Sequence, residues 1–113
     1  MKKIKHIDKP WGYEEILEEN KHYTVKKLCM RKGKRCSYQY HENKLETAYC
    51  LSGELTIIFE NREVILQKGE HITIEPMIKH RMYSAKGDAY YLESSTTYPD
   101  DVVRVEDDYG RNK

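Results

Sequence analysis

The sequence predicts an all-β fold, a single small barrel, and three observations lead there. Short alternating or continuous apolar segments recur along the chain, separated by turn residues. No segment keeps helical periodicity long enough to form a βαβ unit. The 113 residues fit one domain, residues 1–113, with no linker, low-complexity tract or repeat.

The elements follow in order. Glu15 to Leu17 and Tyr23 to Met30 are the first expected strands, and Arg31-Lys32-Gly33-Lys34 is a turn. Cys36 to His41 alternates, and Leu45 to Leu51 is a second apolar run that ends at the Ser52-Gly53 turn. Leu55, Ile57 and Phe59 share one face of the next strand. Glu60-Asn61 turns into Val64-Ile65-Leu66, and Lys68-Gly69 into Ile72-Thr73-Ile74. Beyond Pro76 come Arg81 to Ala85, a turn at Lys86-Gly87-Asp88, and Ala89 to Ser94. The acidic tail, Val102 to Arg111, is expected to carry one short helix.

Composition narrows the function. Lys plus Arg is 20 and Asp plus Glu is 19, for a net charge of +1. That balance excludes nucleic acid as the main partner, since phosphate backbones select strongly basic surfaces. It leaves room for a local basic pocket that takes one small anion. Ten tyrosines against one Phe and one Trp suit half-wet clefts as well as strands. The three cysteines, Cys29, Cys36 and Cys50, are odd in number and form no CxxC pair. Reduced thiols and a cytoplasmic location are therefore expected rather than a disulfide framework. The start, MKKIKHIDKPWG, lacks the apolar stretch of a signal peptide. No run approaches the ~20 apolar residues of a membrane-spanning helix.

Four residues with metal-capable side chains fall into register. Gln39 and His41 are two apart and share a face on a strand, and Glu46 opens the next apolar run. His80 comes after a further strand. Neighbouring strands of a barrel can aim all four into one lumen. Such a nitrogen and oxygen set suits one divalent ion, Zn, Mn, Fe, Co or Ni, with open coordination positions. His6, His22 and His71 lie outside this pattern and are expected at the surface. Cys36 and Cys50 are expected in the core, and Trp11 as a packing anchor.

These spacings resemble the cupin superfamily. Its first motif, G(x)5HxH(x)3–4E(x)6G, is matched by Gly33, Gln39-Tyr40-His41, Glu46 and Gly53, with Gln39 in place of the first His. Its second, G(x)5PxG(x)2H(x)3N, is matched by Gly69, Glu75, Met77, His80 and Ser84, which keeps the ligand His80 and loses Pro, Gly and Asn. The resemblance implies a double-stranded β-helix, or jelly-roll, barrel.

A narrower resemblance is to the C-terminal cupin domain of type II mannose-6-phosphate isomerases, which also carry a Gln at the first position. It rests on Lys9-Pro10-Trp11-Gly12, Gly33-Lys34-Arg35, Gln39-Tyr40-His41, Lys79-His80-Arg81 and the terminal Glu106-Asp107-Asp108-Tyr109-Gly110-Arg111. After His41 the family pattern His-His-Arg-Ala-Glu-His becomes Glu42-Asn43-Lys44-Leu45-Glu46-Thr47, so Lys44 stands for an Arg and Thr47 for a His. The nucleotidyltransferase domain that often precedes such a cupin is not within these residues, so sugar-nucleotide synthesis is not expected of them.

The resemblance implies a metal-dependent aldose–ketose isomerase of a phosphorylated sugar. Metal falls to Gln39, His41, Glu46 and His80, and catalytic assistance to Lys44 and Arg81. The anion clamp falls to Lys44, Lys79, Arg81 and Arg111. Lys79 and Arg81 flank His80, so they reach the metal side only if alternation is irregular at the strand entrance. Lys44, in the loop before Glu46, needs no such irregularity. The base is not identified. The rival readings are a regulatory sugar-binding cupin without turnover and an oxygen-dependent Fe(II) cupin. A homodimer is expected, paired through the strand Tyr13 to Leu17.

Overall fold

The structure, a computed structural model, describes residues 3–111. Its strands are β1 Lys5–Lys9, β2 Gly12–Glu19, β3 Thr24–Met30, β4 Tyr38–Tyr40, β5 Glu46–Ser52 and β6 Leu55–Phe59. They continue with β7 Glu63–Leu66, β8 His71–Ile74, β9 His80–Tyr83, β10 Ala89–Ser95 and β11 Val103–Glu106. No helix occurs among the described residues.

Two antiparallel sheets face each other, with orders β1-β2-β3-β10-β5-β8 and β11-β4-β9-β6-β7. Period-two alternation sends Leu28, Met30, Ala48, Cys50 and Tyr91 inward from the larger sheet. Leu55, Ile57 and Met82 meet them from the smaller one. Burying each such large apolar side chain contributes about 1.5–3 kcal/mol. Cys29, Cys36 and Cys50 are free and buried, and His6, His22 and His71 are exposed. Trp11 closes one side of this core at 6% exposure. Gly12 beside it is required, because a Cβ there would lie 1.9 Å from the Cys29 carbonyl oxygen.

The structure departs from the expected elements at both ends. Lys5–Lys9 is an additional strand, paired with β2. The tail forms strand β11 instead of a helix, because the alternating Val103-Arg104-Val105-Glu106 adds to the edge of β4. The stretch Tyr13 to Leu17 lies in β2, hydrogen-bonded to β1 on one side and β3 on the other. It therefore offers no free edge to a second subunit. The outer strands are β1 and β8 in one sheet, β11 and β7 in the other.

The end of the chain is fastened to the barrel. Arg35 holds the Asp108 carboxylate through two bonds of 2.7 and 3.1 Å, and the Tyr109 hydroxyl donates to the Arg35 carbonyl at 3.1 Å. Arg111 grips Asp107 at 2.8 and 3.1 Å. The Arg35 ties hold the segment after β11 to the barrel, the Arg111 tie closes a turn within it, and Arg104 and Arg111 both line the cavity.

Candidate metal centre

His41 follows β4, Glu46 opens β5 and His80 opens β9, so three segments converge inside the barrel. All three are buried, at 4%, 2% and 1% exposure. Their possible ligand atoms lie within 4.8 Å of one another. Glu46 Oε1 is 3.3 Å from His41 Nε2 and 3.0 Å from His80 Nε2.

The histidine orientation is set from behind. His80 Nδ1 donates to the Ile78 carbonyl at 2.8 Å, and His41 Nδ1 donates to the Asp101 carbonyl at 2.5 Å. Each ring therefore turns its Nε2 toward the carboxylate, as metal-ligating histidines do. His41 Nε2 and Glu46 Oε1 are buried and have no hydrogen-bond partner among the described residues. Two nitrogen lone pairs facing a carboxylate repel unless a positive charge sits between them, so this set fits a divalent ion. Burial raises the Glu46 pKa, but the two imidazoles facing it outweigh this and hold the carboxyl well below its ordinary value. Burial lowers His80, but the neighbouring Glu46 carboxylate outweighs that, and the net direction is up.

Gln39 lies opposite His80 in the strand register and on the same face. Its side-chain oxygen accepts from Ser37 Oγ at 2.7 Å. Gln39, His41 and His80 line one small cavity of about 170 Å³. Sites for drug-sized ligands run to ≈300–1,000 Å³, so this one is sized for a smaller molecule.

Lys44 and Arg111 line the same cavity. Asp101 fixes the loop that carries Lys44, accepting from the backbone amides of Glu42, Asn43 and Lys44 at 2.9, 2.8 and 2.9 Å. Arg81 lies elsewhere. It is buried, its Nε donates to the Cys36 carbonyl at 3.0 Å, and Nη2 is 3.6 Å from Asp108. Alternation holds from His80 onward, so Arg81 projects to the opposite side of β9 and fastens the terminal segment. Lys79 is exposed and borders a separate surface groove beside Phe59 and Ile72. Of the two basic residues that flank His80, neither lines the metal cavity. Thr47, the other departure from the resemblance, faces outward and bonds Thr73 at 2.8 Å, so that substitution does not touch the lumen.

Several lining residues were missed by sequence reasoning. Arg104 pairs in register with Gln39, and its Nε is buried without a hydrogen bond among the described residues. Its signal was the Val-Arg-Val alternation of the tail. Lys9, Glu14, Lys26 and Glu93 also line the cavity. Lys26 and Glu93 each occupy an inward strand position, next to Leu28 and Tyr91 respectively, where an apolar residue is the norm. Burial pushes Glu93 up to about 7, the charge of Glu46 adds to this, and Lys44 and Lys26 partly oppose it.

The cupin domain model matches residues 27–94. A mannose-1-phosphate guanylyltransferase of Salmonella montevideo is 26% identical over 96% of this chain and 24% of its own length. The alginate biosynthesis protein AlgA of Pseudomonas aeruginosa is 27% identical over 93% of this chain and 23% of its own. The chain thus spans about a quarter of the curated relatives it matches. Among solved structures, KdgF from Halomonas superposes with a TM-score of 0.77 at 14% identity, covering 85% of this chain and 88% of that one. CapF, a capsular polysaccharide assembling protein of Staphylococcus aureus, gives 0.81 at 15% identity, covering 92% and 34%. These likenesses show the fold.

Proposed function

We propose, from the premise that this chain belongs to the cupin domain family, that it is a metal-dependent aldose–ketose isomerase of a phosphorylated sugar. One observation carries the reading. His41 and His80, which with Glu46 form the buried ligand set, line the same small cavity as Lys9, Lys26, Lys44, Arg104 and Arg111. A basic lining beside a metal-type centre suits an anionic substrate with a carbonyl to be polarised. Relatives named for mannose 1-phosphate support a phosphosugar.

His41, Glu46 and His80 would hold the ion, with Gln39 as a fourth donor. Bound there, a divalent ion supplies Lewis-acid polarisation of the sugar carbonyl. Arg104 and Arg111, on the fastened terminal segment, are assigned to the phosphate. Lys44 offsets the negative charge that develops when a proton leaves the adjacent carbon. Glu93 is assigned as the base by elimination among the carboxylates in the cavity and beside it. Glu46 belongs to the ion set, Glu14 has Lys9 and Lys26 within 3.9 Å, and Asp101 is taken up by three amides. Glu93 takes the proton from one carbon and returns it to its neighbour.

The test is nuclear magnetic resonance of mannose 6-phosphate with metal-loaded protein under nitrogen. Interconversion with fructose 6-phosphate is expected, with a loss of about a hundredfold or more in Glu93→Gln at unchanged metal content. Unaltered mannose 6-phosphate beside fully loaded protein would sink the reading. Turnover without oxygen excludes an oxygen-dependent reaction.

A further inference from the structure

The inner face of β2 and β3 carries charges that neither the ion nor the proton transfer uses. Lys26 Nζ is 3.6 Å and Lys9 Nζ 3.9 Å from the same Glu14 oxygen. The Glu14 side chain is only 11% exposed and that of Lys26 21%. All three line the metal cavity, and the ring of Trp11 lines it with them. An enclosed ion pair of this kind is a poor stabiliser, since desolvation offsets its attraction and apolar residues of similar volume do as well or better. The fold alone does not call for it.

Its chemistry fits a polyhydroxylated carbon skeleton. A hydroxyl both donates and accepts, so a carboxylate and an ammonium side by side satisfy neighbouring hydroxyls. An indole covers the apolar C–H face of the same skeleton. We propose that Trp11, Glu14 and Lys26 form a subsite for the hydroxylated part of the substrate, apart from the phosphate contacts of Arg104 and Arg111. This rests on the sugar-phosphate reading and deepens it, because it makes the cavity selective for monosaccharide phosphates over other small phosphates.

The experiment is calorimetric titration of metal-loaded protein with mannose 6-phosphate and, separately, with inorganic phosphate. The variants are the double substitution Glu14→Gln/Lys26→Met, which keeps the net charge and leaves only Lys9, 27% exposed and within reach of water, of the three charges, and Trp11→Phe as a milder second. Wild type is expected to prefer mannose 6-phosphate. Each variant, folded by circular dichroism, is expected to lose mannose 6-phosphate affinity, by about tenfold or more in the double, with inorganic phosphate changed by less than about twofold. Equal loss for both probes would make Lys26 a phosphate ligand and overturn the subsite, and so would undiminished mannose 6-phosphate binding. Selective binding without turnover would overturn the isomerase alone and leave the subsite standing.

Discussion

Met77 has a φ of 71°, in the left-handed region that a side chain strains to occupy. It stands where the second cupin motif has Gly, and its amide donates to the His41 carbonyl at 2.6 Å. The strained turn thus ties the loop before His80 to the first histidine. A non-Gly residue in this conformation costs on the order of 1–3 kcal/mol, and glycine gives back about 0.5–1 in chain entropy. Met77 is 59% exposed, so little packing is at stake. Met77→Gly is therefore expected to stabilise the protein by roughly 1 kcal/mol and raise the melting temperature by about 4 °C in calorimetry. An unchanged or lower melting temperature would contradict this. At this scale His41, Glu46, His80 and Lys44 were legible because motif spacing alone brings them to one mouth. Arg104, Lys26 and Glu93 were not. Whether a charged strand residue faces lumen or solvent depends on register, which one sequence does not print.

At the scale of the element, the terminal segment does most to complete the site. It brings Arg104 and Arg111 over the cavity, and Asp101 pins the loop behind His41 and Lys44. Its acidity suggested a solvated helix, and the β-branched alternation that makes it a strand was the weaker signal. Three of its carboxylates are held in their charged form. Arg111 holds Asp107 down to about 2, Arg35 lowers Asp108, and Asp101, although burial raises it, is lowered on balance by the amides of Asn43, Glu42 and Lys44. A depressed acid stabilises the fold above its unfolded pKa, and that stability drains away as pH falls through the folded value. The segment is therefore expected to stay fastened above the ordinary carboxyl value of 3.8 and to loosen as pH falls toward about 2. In a magnetic resonance titration, the amide of Arg111, which donates to Asp107, should shift with a midpoint near 2. The amides of Glu42, Asn43 and Lys44 should shift below 3.8. Midpoints at or above 3.8 would mean that these contacts do not hold the segment.

For the whole molecule, the barrel's purpose is to let two sheets deliver side chains to one enclosed point. Glu46 comes from the larger sheet, and Gln39, His80 and Arg104 from the smaller, across the register Arg104–Gln39–His80. That all-β architecture was legible, since turn residues and period-two segments mark β3 and β5 to β10 closely. Strand β1 was not: its Lys5-His6-Ile7-Asp8-Lys9 is an exposed edge with too little apolar content to announce itself. One divalent ion on His41, Glu46 and His80 is proposed to organise the lumen. A ligand that binds only the folded state stabilises it, by about 2.7 kcal/mol at a hundredfold excess over Kd. The most direct measurement is elemental mass spectrometry of reconstituted, gel-filtered protein, beside His80→Ala treated identically. Close to one divalent ion per chain is expected in wild type, nearly none in the variant, and a lower wild-type melting temperature once chelator removes the ion. Wild type that retains no ion after reconstitution, or a His80→Ala protein that retains as much as wild type, would contradict it.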